Sequence, residues 1–289
     1  MIYRRRASPL HTARAAAGCA YCAALAVAAL TLSHPLELAA VTSAVLLAAV
    51  AAGVGRQLGR AALMSLPVAV AIAVINALVN RNGLTVIARL GDLPALGQTD
   101  VTLEATVYGA ILGLKAVTLI LCGMLYTIAV DPDEVLRLFR RVSFRSALSA
   151  TLATRLVPIL VRDGRRLADA QRCRPGRAPS RLTLMRAACS GVLDRALDTA
   201  AALEVRGYGV VRRSDVRRAR MPYSRHDLAF LASAVGIVAL SIVSRAADLA
   251  PFAAYPALQA PTGAGAVGVA AGLLAVAMLP FADRRGLRP

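Results

Sequence analysis

Six long apolar runs constrain this chain more than any other feature of its sequence. They cover residues 15–32, 36–54, 62–79, 105–130, 228–243 and 262–281. An α-helix of about 20 apolar residues is long enough to cross the hydrocarbon core of a bilayer, where backbone polar groups must be bonded inside the helix. The runs therefore predict an all-α integral membrane protein with about six transmembrane helices.

The first apolar run also has the basic flank of a secretory signal, because Arg4, Arg5, Arg6 and Arg14 precede it. A second apolar run begins after only residues 33–35. This spacing favours a helical hairpin that stays in the membrane over a signal that is cleaved. The overall composition, 57% hydrophobic without Trp, exceeds the apolar content of ordinary soluble domains.

The arginines are distributed unevenly between the two sides of the predicted bundle. With the N-terminus in the cytoplasm, six crossings place thirty arginines inside and three outside, the latter being Arg81, Arg89 and Arg245. Basic residues concentrate in cytoplasmic segments, so both termini are expected there. The net charge of +18 follows from this pattern, and with only 4% aromatic residues it does not indicate nucleic-acid binding.

The longest segment between apolar runs is strongly basic. Together with the apolar runs, it divides the chain into five predicted parts. Residues 131–225 hold 21 arginines against nine acidic residues, and three helical patterns cover about 132–141, 145–174 with a break or kink at Pro158, and 181–206. The predicted parts are a basic N-terminus (1–14), a four-helix membrane region (15–130), a cytoplasmic section of amphipathic helices (131–226), two further membrane helices (227–282) and a basic tail (283–289).

Two of the predicted cytoplasmic helices end alike, with an arginine in the last turn. One ends at Arg174, before Pro175, and the other at Arg206, before Gly207. A cation at this position offsets the negative end of the helix dipole by about 0.3 to 1 kcal/mol. An arginine at the end of a rigid helix can also hold a partner's carboxylate with two parallel hydrogen bonds.

The sequence around these ends resembles the T component of energy-coupling factor (ECF) transporters, the EcfT/CbiQ family. Residues 201–208, AALEVRGY, resemble that family's second Ala-Arg-Gly motif, and residues 170–175, AQRCRP, resemble the first. Further similar stretches lie at residues 8–11, 76–78, 83–86 and 155–160. Cys173 and Pro175 replace the usual Ala and Gly of the first motif, and the lysine common near the start of the first span is absent.

The resemblance implies a scaffold that hydrolyses nothing itself and needs no cofactor. It implies two cytoplasmic ABC-type ATPases and a membrane S component as partners, in a prokaryotic cell membrane, for uptake of a vitamin or a transition-metal ion. By the same resemblance, the ATPase-docking residues are Cys173, Arg174 and Pro175 at one helix end and Val205, Arg206 and Gly207 at the other. The chain has no phosphate-binding GxxxxGK[ST] loop of its own.

Three residues inside the apolar runs carry separate expectations. Lys115 lies near the middle of the fourth run, where a charge is costly unless it contacts protein or water, so it is either an S-component or bundle contact or a side chain that reaches the interface. Gly268 and Gly272 form a GxxxG pair, typical of close helix packing.

The five cysteines and three histidines form no pattern that indicates a metal site.

Two other functions are weighed against the ECF resemblance. A permease subunit of a conventional ABC importer also binds ATPases, but through one coupling helix rather than two. A membrane CDP-alcohol phosphotransferase would use Asp163, Asp194 and Asp198 as metal ligands, but the spacing of these residues differs from that enzyme signature. Asp194 and Asp198 are more typical of the solvated face of a helix.

Overall fold

The chain divides into two units that are described separately. The first consists of Met1–Val135 with Tyr223–Pro289, and the second is Leu136–Pro222. The computed structural model describes residues 8–80, 83–93, 97–139, 144–173, 181–207, 224–255, 258 and 261–282.

The first unit is a bundle of apolar helices. The short helix α1 (Pro9–Thr12) precedes it. Among the described residues, four helices are long and apolar enough to cross a membrane, whereas α2 and α3 are apolar but have 17 residues each. All six predicted runs are helical, which confirms the all-α membrane class. The six are α2 (Ala15–Thr31), α3 (Pro35–Ala51), α4 (Gly55–Val79), α5 (Leu103–Ala129), α9 (Arg225–Ala246) and α10 (Ala264–Met278, extended by a 3-10 turn at Leu279–Phe281).

Local sequence sets where several of these helices begin. Pro35 occupies the first turn of α3, where its missing N–H costs nothing, and the His34 side chain accepts the Leu36 N–H at 3.3 Å. Thr102 caps α5 by accepting the N–H of Ala105 at 3.3 Å. These starts are therefore encoded locally.

The core of the bundle lies around α2. Tyr21 is fully buried, and its hydroxyl donates to the Ala277 carbonyl of α10 at 2.9 Å. The rings of Phe230 and Phe281 meet Tyr21 edge to face, with centroids 5.2 and 6.2 Å away. This aromatic cluster joins the first span to the last two, which are more than 200 residues away along the chain.

Helices α4 and α5 pack through small residues. An added Cβ on Gly109 would lie 2.8 Å from the Ala73 carbonyl oxygen, and one on Gly113 would lie 2.8 Å from that of Ala69. The opposite face of α4 is exposed, since only 11% of the most apolar stretch of this helix is buried in the bundle. In a membrane protein such a face meets lipid or another membrane helix.

From sequence alone, the turn signals Asn82-Gly83, Gly91-Asp92 and Gly97 predict a mixed loop over residues 80–104. The structure corrects this prediction. The segment between α4 and α5 forms an antiparallel hairpin of β1 (Val86–Leu93) and β2 (Gly97–Thr102), with irregular register between Arg89 and Asp92. Glu104 accepts the Thr85 N–H at 3.2 Å and so joins the start of the hairpin to α5. The glycines of this segment favour a loop when the sequence is considered alone. The strands form because they pair with each other, and the Glu104 carboxylate fixes the start of the hairpin.

The second unit contains the helices of the basic section. Helix α6 (Pro132–Phe139) crosses the boundary between the units along the chain, and α7 (Phe144–Arg172) and α8 (Arg181–Val205) follow. Helix α7 continues through Pro158, so the chain does not break there. A single proline removes one N–H donor, and the bonds on either side are enough to preserve the helix.

Candidate functional site

A short ion pair joins helices α7 and α8. The Arg195 guanidinium of α8 donates to the Asp163 carboxylate of α7 at 2.6 Å. This hydrogen bond lowers the pKa of the Asp163 carboxyl, and the nearby charges of Arg195, Arg166 and Arg162 lower it further. The bond favours the ionised form of Asp163 and links the two helices at this point.

The exposed surface of these two helices is basic and apolar at once. Arginine side chains point to solvent along both, and large apolar side chains are exposed between them on α8. Such a surface can bind an acidic partner and a hydrophobic one. The exposed arginines are Arg162, Arg165, Arg166, Arg172, Arg186, Arg195 and Arg206, and the exposed apolar residues of α8 are Leu182, Met185, Leu193, Leu197 and Val205.

The C-terminal end of α8 presents an arginine on a fixed turn. Val205 is 89% exposed, and the exposed Arg206 donates its backbone N–H to the Ala202 carbonyl at 3.2 Å. Gly207 adopts φ = 72°, the left-handed conformation that glycine accepts at low cost, and its N–H bonds the Glu204 carbonyl at 2.8 Å. The turn ends the helix and holds the Arg206 backbone in place.

The corresponding end of α7 is described only up to Cys173. This cysteine is exposed, and its N–H donates to the Asp169 carbonyl at 3.2 Å. Arg172 lies one residue earlier and is 3.7 Å from the exposed Asp169 carboxylate. The predicted docking residues Arg174 and Pro175 lie outside the described residues.

Lys115 is a residue of α5, and its side chain reaches the C-terminal end of α2. Its ammonium donates to the Leu30 carbonyl and to the Ser33 hydroxyl, each at 3.4 Å. Arg245 of α9 donates to the Thr31 carbonyl at 3.1 Å, so two cations bond the carbonyls that end α2. An open cleft of about 420 Å³ beside Lys115 is lined by Ser33, Asn80, Tyr108, Ile111, Leu112, Phe252, Ala254 and Tyr255.

The two glycines of the predicted GxxxG pair have different surroundings. An added Cβ on Gly272 would lie 3.0 Å from the Leu240 side chain of α9, whereas one on Gly268 would meet open space. Gly109 and Gly113 of α5, which also have GxxxG spacing, both face α4. The sequence contained this second pair, but an apolar helix rich in small residues gives no indication of which pair is packed.

In the described part of the basic section, the acidic residues are not gathered as metal ligands. Asp163 bonds Arg195, while Asp194 and Asp198 are exposed on α8. Within the described part of the chain, no group of three or more His, Cys, Asp or Glu residues could hold a metal ion.

Comparison with known families gives a match over most of the chain. Residues 6–217 match the CbiQ family, described as cobalt transport proteins. The chain belongs to the CbiQ family. The resemblance drawn from the two Ala-Arg-Gly motifs is thereby confirmed. None of the curated proteins matches the sequence.

The family match covers the first four spans and both helices of the second unit. It ends at residue 217, before α9 and α10. Membership in CbiQ places the chain among membrane components of ABC-type transporters. The apolar helices agree with a location in the membrane.

Sequence reasoning missed several polar contacts that organise the CbiQ bundle. Glu134 and Asp227 both bond the N-terminus of α2, and Glu37 accepts a hydrogen bond from Ser244 at 2.5 Å. An acidic residue at the edge of an apolar run was the available signal. Its partner could not be identified, because the contacts join residues more than 100 positions apart.

Proposed function

We propose that this CbiQ-family chain is the membrane coupling subunit of an ECF-type importer. It transmits ATP-driven motion of two cytoplasmic ABC ATPases to a membrane S component and catalyses no reaction itself. The exposed Arg206 on the glycine-fixed end of α8 is the observation that carries this proposal. The ion pair between α7 and α8 supports a paired movement of the two helices.

Docking would occur at the two helix ends. Arg206 would enter a groove of one ATPase and bind a carboxylate there, with Val205 and Gly207 shaping the contact. Cys173, Arg174 and Pro175 would form the second contact at the end of α7. A helix end is well suited to this role, because its backbone is rigid and the side chain extends beyond it.

The five-part division of the chain belongs to the same proposal. The section 131–226 and both termini would face the cytoplasm of a prokaryote, and Lys115 would contact the bundle or the S component. The family description makes Co²⁺ the first substrate to test, with other transition-metal ions and vitamins as the alternatives. Substrate choice would belong to the S component.

The docking role is tested by charge reversal at the end of α8. Arg206→Glu should abolish co-purification of the ATPases while the chain remains in the membrane, and Arg174→Glu should reduce it at least partly. Arg186→Glu is the matched control, because Arg186 is exposed on the same helix about five and a half turns earlier. Unchanged pull-down by both docking variants would rule out the proposed contacts.

Subunit stoichiometry separates this proposal from a conventional ABC importer. One copy of the chain with two ATPase subunits is expected, and native mass spectrometry of the purified complex measures the ratio. Two copies of the chain would identify a permease with one coupling helix per subunit.

A further inference from the structure

The N-terminus of α2 obtains its hydrogen-bond acceptors from other parts of the chain. Arg14 is the N-cap residue, and its side chain makes no capping hydrogen bond. The first N–H groups of a helix have no partner within it and need one elsewhere. Here the Arg14 N–H donates to Asp227 at 2.7 Å, and the Ala15 N–H donates to Glu134 at 3.1 Å.

These two carboxylates lie on either side of the second unit in the sequence. Glu134 is in α6, two residues before that unit begins at Leu136, and Asp227 is in α9, five residues after it ends at Pro222. Both chain connections to the second unit are therefore bonded to adjacent residues of one membrane helix.

Both contacts have the chemistry of strong hydrogen bonds. Each carboxylate carries a negative charge at the positive end of the α2 dipole, and charge-assisted bonds are about twice as strong as neutral ones. Asp227 is 1% exposed, also accepts the Ser224 N–H at 2.9 Å, and lies 3.4 Å from Nε of Arg14. The same side chain thus begins α9 and joins it to α2.

The opposite end of α2 is also bonded by charged groups. Lys115 and Arg245 donate to the carbonyls of Leu30 and Thr31. A helix of 17 residues is about 25 Å long and does not stretch appreciably. A displacement applied at its N-terminus is therefore carried to the residues beside the cleft at Lys115.

We propose that Glu134 and Asp227 are positioning residues that attach both ends of the cytoplasmic section, residues 131–226, to α2, so that α2 moves when the ATPases close. This inference rests on the proposed coupling function. Because the two carboxylates bond neighbouring residues, the connections cannot separate from each other without breaking one bond. When the cytoplasmic section moves, α2 is therefore expected to move with it.

Two variants should break the Glu134 contact in different ways. Glu134→Asp keeps the charge but shortens the side chain by one methylene, so it no longer reaches Ala15. Ala15→Pro removes the N–H itself, and proline is tolerated at the first helical position. Arg14 has φ = −61° and ψ = 148°, a conformation compatible with a following proline.

Two further variants are controls. Glu134→Gln keeps an oxygen that accepts the N–H. Asp133→Ala removes the neighbouring carboxylate, which forms no ion pair among the described residues, and keeps the Asp133 backbone N–H that donates to Asp131 at 2.9 Å. In the chain alone in lipid nanodiscs, amide hydrogen exchange at Ala15 should accelerate by roughly tenfold in Glu134→Asp, the factor for losing one charge-assisted bond. It should accelerate by less in Glu134→Gln, which keeps a weaker neutral bond, and stay near wild type in Asp133→Ala.

The relay is measured in the complex with the ATPases. Incubation with ATP and vanadate, which traps the ATPases with bound ADP and vanadate, should change hydrogen exchange across α2 in the wild type and both controls. This change should be lost in Glu134→Asp and Ala15→Pro while ATPase binding persists. If either of those variants fails to accumulate, the other decides the result.

Two outcomes would overturn this inference without affecting the docking proposal. One is wild-type exchange at Ala15 in Glu134→Asp, and the other is an unchanged ATP response of α2 in the variants that break the contact. Failure of the ATPases to co-purify with the wild type would instead contradict the proposed coupling function. The exchange measured on the chain alone would still decide whether Glu134 holds α2.

Discussion

Buried carboxylates in this protein act as connections between distant elements. Glu37 and Glu104 are each 2% exposed, yet each has a specific donor, the Ser244 hydroxyl for the first and the Thr85 N–H for the second. An acidic group without such a partner would be costly in a membrane-spanning helix. The bond between Glu37 and Ser244 joins residues 207 positions apart, so it fixes α3 against α9.

The ion pair of Asp163 with Arg195 predicts a pH-dependent stability of the second unit. Because the pKa of Asp163 is lowered in the folded chain, the pair contributes stability above the ordinary pKa of aspartate and loses it as the pH falls through the lowered value. Thermal unfolding of the purified chain should show Asp163→Asn below wild type at neutral pH, with the gap closing in acid.

Asp198→Asn is the control for this experiment, since Asp198 is exposed on α8 and no ion pair involves it among the described residues. Its unfolding temperature should follow that of the wild type at every pH. A gap between wild type and Asp163→Asn that stays constant down to the acid limit would contradict the ion-pair explanation.

At the scale of elements, close helix packing depends on which small residues face each other. Gly109 and Gly113 of α5 oppose Ala73 and Ala69 of α4, so the two backbones approach closely. Without a hydrophobic driving force between helices in lipid, this contact relies on van der Waals packing and interhelical hydrogen bonds. The pairing of α4 with the bundle is therefore sensitive to side-chain size at these positions.

Gly113→Leu should destabilise the bundle by about 1 to 3 kcal/mol, the range for overpacking a filled interface. Gly123→Leu is the matched control. Gly123 lies on the same helix as Gly113, and an added Cβ there would meet nothing within 4 Å. Unfolding temperature and yield from the membrane measure both. Equal behaviour of the two variants would show that α4 and α5 do not approach as described.

At the scale of the whole molecule, the arginine asymmetry predicts that the second unit faces the cytoplasm. The native cysteines Cys173 and Cys189 are exposed in that unit, whereas Cys22 and Cys122 are buried in the bundle. A membrane-impermeant maleimide should therefore label the chain in inverted vesicles and leave it unlabelled in intact cells.

Leu249→Cys provides the opposite case in the same experiment. Leu249 is 40% exposed and lies between α9 and α10. In a variant that lacks Cys173 and Cys189, the cysteine introduced at position 249 should therefore be labelled in intact cells. Labelling of Cys173 or Cys189 from outside the cell would reverse the orientation and contradict cytoplasmic docking.

The sequence by itself determined the membrane class, the six apolar helices and the family, because these depend on local properties. Length and hydropathy identify a spanning helix, proline and glycine mark helix ends, and the motif ending at Arg206 and Gly207 lies within eight consecutive residues. The hairpin before α5 was missed because its glycines favour turns, and the strands depend on pairing with each other.

Only the tertiary structure decided which residues connect the helices. Lys115 at the end of α2, Glu134 and Asp227 at its beginning, and Gly113 against Ala69 are all contacts between elements far apart in sequence. Apolar helices in lipid have nearly uniform surfaces, so hydropathy does not specify their neighbours. A few polar groups and small residues specify them, and their partners become known only when the helices are packed.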